Sequence, residues 1–128
     1  MVCGEGLPHT DPDVLGDMTI LIVEDNHEMR RIIKAIVGDL AHRIEERGDG
    51  REALAAYREC RPDWVLMDVR LPGINGPEAA RRILAERPRT RIILMSTYEP
   101  ADLPGDLDQC GAERFLRKQD IDAAALLS

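Results

Sequence analysis

The stretch Arg61-Pro62-Asp63-Trp64-Val65-Leu66-Met67-Asp68-Val69-Arg70-Leu71-Pro72-Gly73-Ile74-Asn75-Gly76 decides how the chain is read. Trp64 to Met67 is a short apolar run bounded by Pro62 and by turn residues, the pattern of a strand buried on both faces. The first charge after it, Asp68, therefore emerges at the strand's carboxyl end, where open α/β sheets carry their ligand sites. Leu71-Pro72-Gly73 and Asn75-Gly76 are turn chemistry, and Pro77 suits the first position of a following helix, where a missing N–H costs nothing. A carboxylate held on such a loop can serve as a nucleophile or as a metal ligand.

Upstream the arrangement repeats. Thr19 to Val23 is another apolar run, and it ends in Glu24-Asp25. Asn26 can cap a helix in which Met29, Ile32, Ile33, Ile36, Val37 and Leu40 recur at the spacing of one apolar face, with Gly38 near its end. Residues 42 to 47 offer only Ile44 as a large apolar side chain, which predicts a weak strand at the edge of the sheet. Gly48-Asp49-Gly50 reads as a turn, and Ala53, Leu54, Tyr57 and Cys60 mark one face of a second helix, stopped by Pro62.

Downstream, Pro77 to Glu86 forms a third helix with Ala79, Ala80, Ile83 and Leu84 inward, ended by Pro88. Arg91 to Met95 is a fourth strand, and Ser96 leaves its carboxyl end. Pro100 and Pro104-Gly105 confine a fourth helix to the segment from Pro104 to Cys110. Phe115-Leu116 lies in a short fifth strand ended by Arg117-Lys118, and Asp120 or Asp122 caps a brief last helix that stops after Leu127. Residues 1–17, rich in Gly, Pro and acids, are expected to be a disordered extension, with one folded domain over 18–128. Strands alternating with helices in this way build repeated βαβ units. The predicted class is α/β, a doubly wound five-stranded parallel sheet with helices on both faces.

Composition narrows the function. A formal net charge of -7 argues against nucleic-acid binding by this chain alone, because phosphate backbones are held by an excess of Lys and Arg. Cys3, Cys60 and Cys110 are odd in number and widely spaced, which fits neither a disulfide framework nor a zinc site and suits reduced thiols in a cytoplasmic protein. No apolar run approaches the ~20 residues that span a membrane, and the first 17 residues do not read as a signal peptide. His27 and His42 have no metal-ligand partners at usable spacing and read as surface residues.

In a parallel sheet the carboxyl ends of the strands open onto one edge, so Glu24, Asp25, Asp68, Ser96 and Lys118 are delivered to the same rim. Three carboxylates together repel and call for a cation among them, and hard oxygen donors favour magnesium. An ammonium, a hydroxyl and a partly hydrated magnesium together suit a phosphoryl group on Asp68.

These residues resemble the response-regulator receiver domains of bacterial two-component signalling. The likeness covers residues 19 to about 127. It rests on Glu24-Asp25 after the first strand, Asp68 followed by Leu71-Pro72-Gly73 and Gly76, Ser96 after the fourth strand, and Phe115 three residues before Lys118. It implies the strand order 2-1-3-4-5. It also implies that Asp68 is the phosphoacceptor, taking phosphoryl from a histidine kinase or phosphotransfer protein. Mg2+ is then bound by Asp25, Asp68 and the backbone carbonyl of Arg70, with Glu24 assisting through water. Lys118 pairs with the phosphoryl oxygens, while Ser96 and Phe115 act as the switch that alters partner binding. An output domain, a protein target or a homodimer is the implied recipient.

Departures from the family are Gln119, where proline often follows the lysine, and Pro104-Gly105 within the fourth helix. A phosphorylation-independent interaction module is the alternative, opposed by the complete acid and lysine set. An aspartyl phosphohydrolase on a similar sheet would place a second acid two residues after the first, where Arg70 stands.

Overall fold

The computed structural model describes residues 18–38, 41–96 and 110–122. In chain order the described elements are β1 (Thr19–Val23), α1 (His27–Val37), β2 (Arg43–Arg47), α2 (Gly50–Cys60), β3 (Trp64–Asp68), α3 (Gly76–Glu86), β4 (Arg91–Ser96) and β5 (Arg114–Arg117), followed by one 3-10 turn over Lys118–Asp120. The expectations for residues 1–17, for Leu40, for a helix between Pro104 and Cys110 and for a last helix through Leu127 fall wholly or largely outside the described residues.

The helices start where short polar side chains can accept from otherwise unpaired backbone N–H groups. Asn26 takes the N–H of Met29, Asp49 that of Arg51, and Asn75 that of Glu78. One boundary is corrected: Gly50 does not belong to a free turn but opens α2, because Asp49 supplies the cap. Likewise α3 begins at Gly76, with Pro77 in its first turn.

All four strand pairings are parallel, in the order β2-β1-β3-β4-β5, as the family likeness implied. Strands buried on both sides still alternate, because successive side chains point to opposite faces. Leu21, Val23, Val65, Met67, Ile92 and Leu94 face one layer with Ala53, Ala56 and Tyr57 of α2 and Ala79, Ala80 and Ile83 of α3. Ile20, Ile22, Trp64, Leu66, Ile93 and Met95 face the other with Ile33 and Val37 of α1 and with Ile121. Each large side chain fully withdrawn from water contributes roughly 1.5–3 kcal/mol, so the central strands anchor the fold. Among the described residues β2 is paired only with β1, and its Arg43, Glu45, Glu46 and Arg47 keep that edge charged.

The order reverses direction at β1, which lies between β2 and β3. The crevice of a doubly wound sheet opens at such a reversal, beyond the carboxyl ends of the strands. Glu24 and Asp25 leave β1 there, and Asp68 closes β3 beside them.

Candidate functional site

Glu24 is fully buried, Asp68 is 6% exposed, and Asp25 between them on the rim is exposed. One carboxylate oxygen from each lies within 4.8 Å of the others. Burial of an acid demands partners, and each buried acid has them. Oε2 of Glu24 accepts from the N–H of Asn26 at 3.0 Å, and Oδ1 of Asp68 accepts from the N–H of Arg70 at 3.2 Å.

Lys118 reaches both acids from just beyond β5. Its Nζ donates to Oδ2 of Asp68 at 3.1 Å and lies 2.6 Å from Oε1 of Glu24, the latter an ion pair without hydrogen-bond alignment. Burial raises the pKa of Glu24, countered in part by Lys118 and by the Asn26 N–H, and the nearby charge of Asp68 adds to the rise. For Lys118, burial works to lower the pKa, but the contacts with Glu24 and Asp68 outweigh it and the net direction is upward. Both shifts follow from two acids sharing one ammonium in a poorly solvated place. Three carboxylates less one ammonium leave two negative charges, and the donors are all hard oxygens. That donor set fits a divalent cation of the magnesium type.

The loop after β3 is folded tightly against Asp68. Val69 donates to the carbonyl of Met95, and Gly76 donates to the carbonyl of Val69 at 2.8 Å. A Cβ at Gly76 would stand 2.3 Å from the carbonyl oxygen of Asp68, so only glycine admits this return. Asp68 is thus held by both its strand and its loop.

Ser96 is buried as the last residue of β4, inside the strand and not beyond it, and it is paired in register with Arg117. That places Ser96 level with the residue that precedes Lys118. Phe115 is half-buried against the α2/α3 layer, opposite Leu94. The fold therefore brings Glu24, Asp25, Asp68 and Lys118 together, sets Ser96 beside them in register, and keeps Phe115 further down β5. A groove of about 690 Å³ opens at the amino ends of β3 and β4, away from this rim, lined by Pro62, Asp63, Trp64, Glu86, Arg89 and Arg91 among others.

Arg30 was not singled out by spacing. Its Nη1 donates to the main-chain carbonyl of Glu24 at 2.7 Å. The available signal was a cation in the first turn of α1, where the helix dipole favours acids and a basic side chain needs another partner.

Residues 20–128 match the family model described as the response regulator receiver domain. The chain is 34% identical over 101 residues to the response regulator GacA of Pseudomonas viridiflava, covering 77% of this chain and 47% of that protein, so it spans about half the length of such relatives. It is 33% identical over 100 residues to the chemotaxis protein CheY of Thermotoga maritima, covering 77% of this chain and 83% of that one. Among solved structures, a LuxR-family two-component response regulator from Aurantimonas superposes with a TM-score of 0.75 at 28% identity, covering 86% of this chain and 79% of the other. With its sheet order, its acid rim and the match over residues 20–128, this chain belongs to the response-regulator receiver domains of two-component signalling.

Proposed function

We propose that Asp68 is the phosphoacceptor of this receiver and that a sensor histidine kinase or phosphotransfer protein supplies the phosphoryl group as a phosphohistidine. The observation that carries this reading is the position of the Asp68 carboxylate, at the sheet's order reversal and within reach of both an ammonium and two further acids. An oxygen of Asp68 forms a bond to phosphorus as the phosphorus–nitrogen bond breaks, and the departing imidazole takes a proton from water. The product is an acyl phosphate. The chain catalyses no turnover beyond its own phosphorylation and dephosphorylation.

Glu24, Asp25, Asp68 and the backbone carbonyl of Arg70 would hold Mg2+, which neutralises charge on the transferring group when bound. Lys118 holds a phosphoryl oxygen through its ammonium, exchanging part of its contact with Glu24 for the new charge. The Ser96 hydroxyl hydrogen-bonds a second oxygen, and Phe115 changes rotamer in response. The surface beside β5 then changes its affinity for an output domain, a separate target or a second copy of the chain. The reading sets this exchange in the cytoplasm; no helix among the described residues is long and apolar enough to cross a membrane.

Incubation with a small acyl phosphate and magnesium, read by intact mass, tests the reading. One added phosphoryl group, abolished by chelation and by Asp68→Asn, is expected. An unmodified chain overturns it.

A further inference from the structure

Glu24 is tied at four points, whereas Asp25, the next residue, is exposed on the rim. The N–H of Glu24 donates to the carbonyl of Arg47 on β2 at 2.9 Å, and its side chain meets Asn26 and Lys118. Its carbonyl oxygen, which belongs to the peptide plane leading into Asp25, accepts from Arg30 at 2.7 Å. The location of the Asp25 carboxylate therefore depends on how firmly that plane is held.

Arg30 is itself braced. Its Nε lies 3.6 Å from Oε1 of Glu46 on β2, and its Nη2 lies 3.1 Å from Nδ1 of His27. A guanidinium can only donate, so Nδ1 of His27 is the acceptor. Glu46 also meets Lys34 at 3.0 Å, which ties a second residue of α1 to the edge strand. The arginine side chain is only 20% exposed, and Gly48 leaves the room it occupies. A Cβ at Gly48 would stand 3.1 Å from Nη1 of Arg30 and 3.7 Å from Cα of Asp25.

We propose that Arg30 is a positioning residue: its grip on the Glu24 carbonyl, braced by Glu46 across to β2, aims the Asp25 carboxylate at Asp68 and so sets the affinity for a divalent cation. The inference rests on the acid cluster being a metal site. Arg30 does not touch the ion. Groups that orient metal ligands typically alter affinity by roughly 10–100-fold when removed.

The test is a calorimetric titration of magnesium into the full chain and its variants, paired with hydrogen exchange at the amides of Asp25 and Asn26. Arg30→Ala is expected to raise the magnesium Kd by about 10-fold or more and to speed exchange at those two amides while β3 and β4 keep their protection. Arg30→Lys, which retains one charged donor, should fall between the two. Arg31→Ala, a loss of exposed charge on the same helix, should match the wild type. A folded Arg30→Ala chain with Kd within about twofold of wild type, well below the range for orienting groups, overturns the positioning role alone. A wild-type chain that binds no magnesium overturns the metal site and this inference with it. If Arg30→Ala does not fold, Arg30→Lys and Gly48→Ala carry the test, since the second crowds the guanidinium without removing it. Both are expected to weaken binding several-fold, and wild-type affinity in both contradicts the proposal.

Discussion

Lys118 lies closer to Glu24 than to Asp68, at 2.6 Å against 3.1 Å. The ammonium is therefore the internal counter-ion of a fully buried acid as well as a neighbour of the proposed phosphoacceptor. Lys118→Met leaves Glu24 buried without its cation, and breaking such a pair is expected to cost about 3 kcal/mol of stability in metal-free buffer. Magnesium should restore part of that loss, because a ligand of the folded state stabilises it by mass action. Thermal melts with and without the metal check both parts. An unchanged Tm in metal-free buffer contradicts the shared-ammonium account.

Asp25 gives the opposite pattern. Its side chain is exposed, so Asp25→Asn should change metal-free stability by no more than about 0.5 kcal/mol. Magnesium affinity should nevertheless fall by at least 10-fold, on the order of one lost hydrogen-bonded or ligating charge. Chemical denaturation alongside calorimetry separates the two effects, and equal affinity in the variant removes Asp25 from the metal site.

Gly76 admits the close return of the chain over Asp68. Gly76→Ala places a methyl group against the Asp68 carbonyl, and overpacking of this kind costs about 1–3 kcal/mol. Denaturant midpoints measure it. A neutral substitution would mean that the loop can relax away from β3.

Glu113 and Arg91 staple the start of β5 to β4 through two charge-assisted bonds, at 2.8 and 2.6 Å. The Arg91 guanidinium holds the Glu113 carboxyl below its ordinary value of 4.5. A depressed acid contributes stability that is complete above its unfolded pKa and lost as pH falls through the folded one. Glu113→Gln should therefore be less stable than wild type at neutral pH, and the gap should close below pH 4.5. Both side chains are more than a third exposed, so screening limits the gap to about 0.5 kcal/mol. Urea unfolding across pH 3 to 7 checks the sign.

The architecture was legible because two apolar runs end in acids and the first helix between them carries its own cap. Trp64 to Met67 can only be a strand if Asp68 is to surface at its end, and Asn26 and Pro77 announce the helices that follow. What spacing does not contain is partnership across the sheet. Lys118 finds Glu24 only through the β4–β5 register, which joins residues far apart in the chain, and no local pattern tells which acid it will favour. Arg30 was missed for a related reason: hydrophobic periodicity marks the face of α1 that packs inward, while this residue works through a polar contact at the helix's first turn. Asp49 shows the same limit on a smaller scale, since Gly-Asp-Gly reads as a turn until the aspartate is seen to accept from the N–H of Arg51.

Borohydride reduction of the chain after exposure to an acyl phosphate and magnesium, followed by peptide sequencing, locates the modified carboxylate. An aspartyl phosphate reduces to homoserine, and the account predicts homoserine at position 68 alone. Homoserine at position 25, or at no position, would contradict it.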